Sequence, residues 1–197
     1  MLFYYLQEED LLIKNRQLIL LLLFLAVTIM LQIIEINCHC LHYNRKIFLS
    51  NIYYMGLTPN LVHANWMHWF LNVINMLALV LIFYKTWSIK RFIFFMIFAS
   101  YFVTICIYIF LPNVTSYLGL SGVLYGAAVY SGLNEYNEQK TVSILLLSYV
   151  LLKLLFHDFI NEITYVDDML NGLTILTQAH WYGAIFGVLV YIVEIKK

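Results

Sequence analysis

The chain has 197 residues, 63% of them hydrophobic and 11% charged, with a formal net charge of zero and a mean hydropathy of +0.82. A soluble domain needs more charged residues than this to cover its surface, and a neutral chain gives no indication of nucleic-acid binding. The three cysteines are too few and too scattered for a disulfide framework. The composition therefore predicts a multi-pass membrane protein.

Six apolar segments follow one another along the chain, at residues 17–35, 66–84, 90–111, 119–134, 141–156 and 177–195. A helix that crosses a bilayer needs roughly 20 such residues. No internal repeat and no linker rich in proline, glycine or serine divides the chain, and no small-residue cleavage site follows the first segment. We therefore expect residues 1–197 to form a single all-α domain of six transmembrane helices, with the first helix retained.

The longest connection, residues 36–65, contains the amphipathic and aromatic stretch KIFLSNIYYMGL. Such a stretch is typical of a segment that lies in the membrane interface. The same connection contains CHCLH at 38–42, but its Cys-x-Cys spacing is tight for a tetrahedral zinc pair. We predict an interfacial first outer loop, no metal site and no cofactor.

Lysine and arginine are distributed unevenly between the two sides of such a bundle. With the N-terminus inside, eight of them are cytoplasmic and only Arg45 and Lys46 lie in outer loops. Because cytoplasmic loops are enriched in these residues, we expect a cytoplasmic N-terminus. Lys153, near the outer end of the fifth segment, is interpreted as a side chain that extends to the interface, and the acidic outer stretch 157–168 as solvated.

With this topology, the unusual polar residues of three segments lie at one side of the membrane. The second segment has His63, His68 and Asn72 at or near its outer end, the fourth has Ser121 near its outer start, and the sixth has His180 near its outer start. Intramembrane polar and ionisable groups indicate function by default. The coincidence predicts a shared site near the outer face.

Ser121 lies in YLGLSGVLYG, between Gly119 and Gly122. A serine in a membrane helix is most often a packing residue, but two glycines permit a tight turn into the helix and close approach of another backbone. The fourth segment is also short for a bilayer, so its first N–H groups are expected below the outer surface, where they suit an oxyanion.

His180 begins AHWYGAIFG, which places Gly183 and Gly187 on one helix face. The fourth segment has its own pair, Gly122 and Gly126. Small residues spaced in this way let two membrane helices approach closely. We therefore expect the two helices to pack together and to bring His180 within hydrogen-bond reach of the serine, the minimum arrangement for an activated nucleophile.

Other polar residues near these two have both functional and structural interpretations. Tyr125, one turn below Ser121, is placed to stack on the ring of His180 or to pack in the core. His68 and Asn72 share a helix face and are able to donate hydrogen bonds to a developing negative charge, or to join helices. No carboxylate is equivalently placed, so a dyad is expected and not a triad.

Together, GLSG, HANWMHWFLN and AHWYGAIFG resemble the rhomboid family of intramembrane serine proteases. The resemblance implies a six-helix rhomboid-like bundle in which Ser121 is the nucleophile and His180 the general base. It implies an oxyanion hole made by the Ser121 backbone N–H and the side chains of His68 and Asn72. The residues that it assigns to support are His63, Tyr125, Gly119, Gly122, Gly183 and Gly187.

A narrower resemblance, through NWMHWFLN, GLSGVLYG and LLKLLF, is to the rhombosortase branch. It implies cleavage of exported proteins that end in Gly-Gly, a hydrophobic helix and a basic tail. The Trp-Arg pair common in the first outer loop of rhomboids is missing here, because Arg45 stands without a tryptophan. The implied partners are a substrate helix and the lipid bilayer, with no nucleic acid, and the implied location is a bacterial inner membrane.

Two other functions remain open at this point. A rhomboid-like protein without activity would bind and escort membrane helices, although such proteins typically lack the serine or the histidine. A haem or quinone protein would use His63, His68 and His180 as ligands, which leaves the glycine-flanked serine unexplained.

Overall fold

The computed structural model describes residues 2–156 and 176–195, and the helices and strands below are numbered over that part of the chain. The acidic stretch 157–168 lies outside the described residues. Six long helices correspond to the six apolar segments: α1 Leu2–Cys38, α3 Trp66–Ile82, α4 Ile89–Phe110, α5 Ser121–Asn134, α6 Lys140–Leu155 and α7 Thr177–Ile195. All but the first keep to within two residues of the predicted bounds; α1 extends toward the N-terminus as far as Leu2.

The helices differ in their capacity to cross a membrane. Among the described residues, three stretches are long and apolar enough to do so: Leu18–Cys38, Ile89–Phe110 and Thr177–Ile195. Helix α3 is apolar but shorter. The 14 residues of α5 span about 21 Å at 1.5 Å per residue, less than the ~30 Å hydrocarbon core of a bilayer.

The connection between α1 and α3 has more structure than the sequence predicts. Strand β1 (Tyr43–Asn44) pairs antiparallel with β2 (Ser116–Tyr117), which corrects the all-α expectation by one small two-stranded ladder. A short helix, α2 (Ile52–Met55), lies between 3₁₀ turns at Leu49–Asn51 and Thr58–Asn60. The ladder fastens this connection to the segment that leads into α5.

The predicted amphipathic character of the connection is present. Phe48 and Met55 are buried, whereas Leu49 and Tyr53 are exposed. Arg45 also fixes the loop without a tryptophan partner, because its guanidinium donates a hydrogen bond of 2.9 Å to the Tyr108 carbonyl and lies 4.7 Å from the centroid of the Tyr108 ring.

Two of the cysteines are joined in a disulfide between Cys38 and Cys40, at the end of α1. This is one local crosslink and not a framework. It bonds the two sulfurs to each other, which removes them from the metal-site interpretation of CHCLH. The third cysteine, Cys106, is free and buried.

Helix α5 occupies the centre of the bundle, where it contacts α3, α4, α6 and α7. Its side chains Val123, Ala127 and Tyr130 are buried in a cluster with Trp87 and Phe95. The start of α5, at Ser121, is therefore held by packing from several neighbouring helices.

Candidate active site

Ser121 and His180 form a hydrogen bond, with 2.9 Å between the serine Oγ and the histidine Nε2. Ser121 is the first residue of α5, and His180 lies in the first turn of α7. When the imidazole carries its proton on Nδ1, Nε2 accepts the hydrogen bond that the hydroxyl donates. This is the contact through which an imidazole activates a serine.

The contact depends on a line of glycines along which the backbones of α5 and α7 touch. A Cβ added to Gly126 would lie 2.5 Å from the Gly183 carbonyl oxygen, and one added to Gly183 would lie closer still to the Gly122 carbonyl oxygen. A Cβ on Gly187 would collide with the Gly126 carbonyl oxygen. Backbone cannot move aside as a side chain does, so these positions fix both the distance and the register of the two helices.

Tyr125 lies one turn after the serine and packs flat on the imidazole. Its ring and the ring of His180 have centroids 4.3 Å apart and planes that differ by 7°. The stack holds the plane of the imidazole while Nε2 points to Ser121.

The turn before Ser121 requires glycine for two reasons. Gly119 has a φ of 127°, which other residues rarely adopt, and a Cβ there would lie 2.9 Å from Cε1 of His68. The Gly119 N–H donates to the Pro59 carbonyl at 2.8 Å, and its own carbonyl accepts from the Tyr117 hydroxyl at 2.9 Å. The connection between α1 and α3 thus holds this turn together with β2, and His68 lies against it.

His63 and His68 pack edge to face, with ring centroids 5.0 Å apart. His63 is 1% exposed, and neither of its ring nitrogens has a hydrogen-bond partner among the described residues. Burial, and to a lesser extent the positive charge of His68, lowers the pKa of His63 to about 3. His63 is therefore neutral at ordinary pH and supports the His68 ring by packing.

Asn72 is 5% exposed and donates a hydrogen bond of 2.9 Å from Nδ2 to the His68 carbonyl, one turn earlier in α3. An amide nitrogen carries two hydrogens, so this bond leaves a second donor. Asn72 and Ser121 line the same cleft of about 320 Å³, which lies between α3, α5 and α6. Of the residues predicted for the oxyanion hole, the structure thus brings His68 and Asn72 to the same region as Ser121.

Gln32 is not among the predicted site residues, yet it holds the backbone of His63. Its Oε1 accepts from the His63 N–H at 2.7 Å, and its Nε2 donates to the His63 carbonyl at 2.8 Å. The signal was present, because a glutamine inside an apolar segment is expensive unless it has a partner.

Glu35 is a second polar residue of α1 that is not among the predicted site residues. It is 4% exposed and accepts from the Leu41 N–H at 2.7 Å, and its other oxygen lies 2.7 Å from Nδ1 of His42. It therefore holds the turn that follows α1.

Of the three histidines considered as haem ligands, His63 and His68 pack against each other, and His180 lies against other residues. Over residues 2–156 and 176–195, no group of three or more His, Cys, Asp or Glu side chains is close enough together to hold a metal ion. His180 is instead engaged with Ser121 and Tyr125.

Comparison with known families gives a match to the Rhomboid domain over residues 50–197. Comparisons with curated proteins and with solved structures gave no match. Members of the matching family are generally serine intramembrane proteases that act on membrane-protein substrates in the bilayer, and inactive members also exist. The match covers Ser121, His180, His63 and His68, and it does not separate the rhombosortase branch from the others. The chain therefore belongs to the rhomboid family of integral membrane proteins.

Proposed function

We propose that this protein is an intramembrane serine endopeptidase that uses Ser121 and His180 as a catalytic dyad. The observation that supports this most directly is the 2.9 Å hydrogen bond between Ser121 Oγ and His180 Nε2 in a member of the rhomboid family. An inactive, helix-binding member would have no need of this hydrogen bond.

In the proposed reaction, Ser121 Oγ attacks the carbonyl carbon of a substrate peptide bond while His180 Nε2 takes its proton. The tetrahedral intermediate collapses when His180 returns that proton to the leaving amine, which leaves an acyl-enzyme. Water then attacks the ester, with His180 again as the base, and the second product is released with its new carboxyl group.

The negative oxygen of the intermediate needs donors that are already in place. The Ser121 N–H is at the first position of α5, where helical N–H groups have no partner within the helix, and the N-cap residue Leu120 makes no side-chain cap hydrogen bond. The His68 side chain and the second amide hydrogen of Asn72 are the other proposed donors. Gly119 and His63 serve to position them.

We further propose that residues 1–197 form one domain with six spans, a cytoplasmic N-terminus and the active site toward the outer face of a bacterial inner membrane. The contacts among Ser121, His180 and the His68 region support this, because they join the starts of α3, α5 and α7, as three helices running in the same direction require. The short α5 then begins below the outer surface.

The proposed substrate is a transmembrane segment of an exported or membrane protein. An intact helix hides its carbonyls in hydrogen bonds, so glycines near the cut ease the local unwinding that the reaction needs. A tail with Gly-Gly, a hydrophobic helix and basic residues, as the rhombosortase resemblance implies, meets this requirement. The cleft between α3 and α6 offers such a segment a lateral entrance.

A fluorophosphonate probe tests the function without a known substrate. We expect the detergent-solubilised protein to be labelled at Ser121, and the label to be lost in Ser121→Ala and His180→Ala. Mass spectrometry of the labelled peptide identifies the residue. A folded protein that does not react, but still binds membrane helices, would instead be the inactive member of the family.

A further inference from the structure

Among the described residues, the wall of the cleft that leads to Ser121 contains one charged side chain, that of Lys153. The rest of this wall is mostly apolar, with polar groups from Asn72, Asn75, Tyr125 and Tyr149. Lys153 is half-buried, and within residues 2–156 and 176–195 its ammonium has no hydrogen bond or ion pair. The neighbouring residues Leu151, Leu152 and Leu155 are exposed on the outside of the bundle, so the cation is on the inner side of α6.

Lys153 and Ser121 lie at the same end of the bundle. Lys153 is in the last turn of α6, and Ser121 is the first residue of α5. The two helices are consecutive and pack together, joined by the short turn 135–139. A segment that enters the cleft and presents a peptide bond to Ser121 therefore passes along the wall that contains Lys153.

A cation in an apolar wall is costly unless it reaches water or pairs with an anion. The interpretation from the sequence, a lysine that extends to the interface, is compatible with a position in the last turn of α6. It does not say what the ammonium binds in the cleft, and an anion brought by the occupant of the cleft is a suitable partner. Because Asn72 and Asn75 add amide groups suited to a peptide backbone, the occupant that fits this wall is a polypeptide.

We propose that Lys153 is a specificity-determining residue that binds a substrate carboxylate, so that preferred substrates have Asp or Glu within a few residues of the cleaved bond. This proposal rests on the proposed function, because it takes the occupant of the cleft to be the substrate. The chemistry is a charge-assisted hydrogen bond from the ammonium to the carboxylate. This contact adds a second requirement to substrate choice. The first requirement, a helix that unwinds easily, would be met by any glycine-rich segment.

The test uses binding, so that it does not depend on turnover. The probes are synthetic transmembrane peptides with a glycine-containing centre, labelled with a fluorophore, in pairs that differ only by Glu or Gln at one position scanned through the centre. Affinity for Ser121→Ala protein is measured by anisotropy in nanodiscs of phosphatidylcholine alone. At one or more positions we expect Glu to bind about five- to tenfold more tightly than Gln, as a charge-assisted hydrogen bond in a partly dry cleft provides.

The same measurement on variants assigns the effect to Lys153. The preference for Glu should be lost in Lys153→Gln, kept in Lys153→Arg and reversed in Lys153→Glu. Lys140→Gln is the matched control, because it removes the same charge from the exposed start of the same helix. It should leave the Glu-to-Gln ratio unchanged.

Four results would overturn the proposal. Equal binding of Glu and Gln peptides at every position is one, and a ratio that survives in Lys153→Gln is another. If substitution of Lys153 changes peptide binding only when phosphatidylglycerol is added to the nanodisc, the ligand of Lys153 is a lipid phosphate. If the preference for Glu peptides appears only when Asp158, Glu162, Asp167 and Asp168 are neutralised, the partner of the Lys153 ammonium is one of the chain's own carboxylates. Probe labelling of wild-type Ser121 is measured separately, so failure of the proposed function is distinguishable from each of these.

Discussion

The rings of Tyr125 and His180 are stacked almost parallel, with centroids 4.3 Å apart, although the two residues lie on different helices. In a Ser-His-Asp triad, a carboxylate holds the imidazole in place through a hydrogen bond to Nδ1. Here the flat face of a tyrosine restricts the same ring by packing. The orientation of the proposed base therefore depends on the shape of its neighbour and on how closely α5 and α7 approach.

We expect Tyr125→Phe to react with a fluorophosphonate at close to the wild-type rate, because the stacked ring is retained. Tyr125→Leu should react about fivefold more slowly, since an aromatic pair contributes about 1 kcal/mol beyond its buried area. The initial rate of labelling at Ser121 measures both. A leucine variant as fast as wild type would show that the stack does not orient His180.

Gly183→Ala should separate α5 from α7, because the added Cβ would collide with the carbonyl oxygen of Gly122. We expect a loss of a few kcal/mol of stability, typical of severe overpacking, and labelling of Ser121 reduced to background. Gly132→Ala is the control: its Cβ would meet Cγ of Leu147 at 2.9 Å, and a leucine side chain can turn aside. Thermal unfolding in detergent, measured on both variants, should show the larger shift for Gly183→Ala.

The contact between Ser121 and His180 could be predicted from the sequence because small residues repeated on one helix face specify close approach. The placement of Lys153 could not. Helix α6 is apolar around most of its circumference, so its sequence does not indicate which side faces the bundle. The pairing of Tyr43 with Tyr117 could not be predicted from the sequence either, because two-residue strands are too short to show the alternation that identifies a strand.

Gln32→Leu should destabilise the protein, because it removes both hydrogen bonds to the backbone of His63 and leaves that buried N–H and carbonyl without their partner. A cost of about 2–3 kcal/mol is expected for two such groups. Labelling of Ser121 should also slow if His63 positions His68. Asn37→Leu removes an amide from an exposed position of the same helix. It should change neither the stability of the protein nor the rate of labelling at Ser121. Equal unfolding midpoints for the two variants would contradict this role of Gln32.

His63 should make the stability of the protein fall in mild acid. Its pKa in the folded protein is about 3, against an ordinary value of about 6.5, so below pH 6.5 the unfolded chain binds a proton that the folded chain does not. The contribution of His63 is therefore fully present above pH 6.5. It is lost at about 1.4 kcal/mol per pH unit as the pH falls from 6.5 toward the folded pKa.

Unfolding midpoints in detergent between pH 8 and pH 4.5 measure this slope. His63→Gln, which cannot take up the proton, should flatten the curve over the acid half of the range. Both proteins keep the other five histidines, so the difference between the two curves reports the substitution at position 63. Parallel curves for the two proteins would mean that His63 is hydrated, and therefore not held neutral by burial.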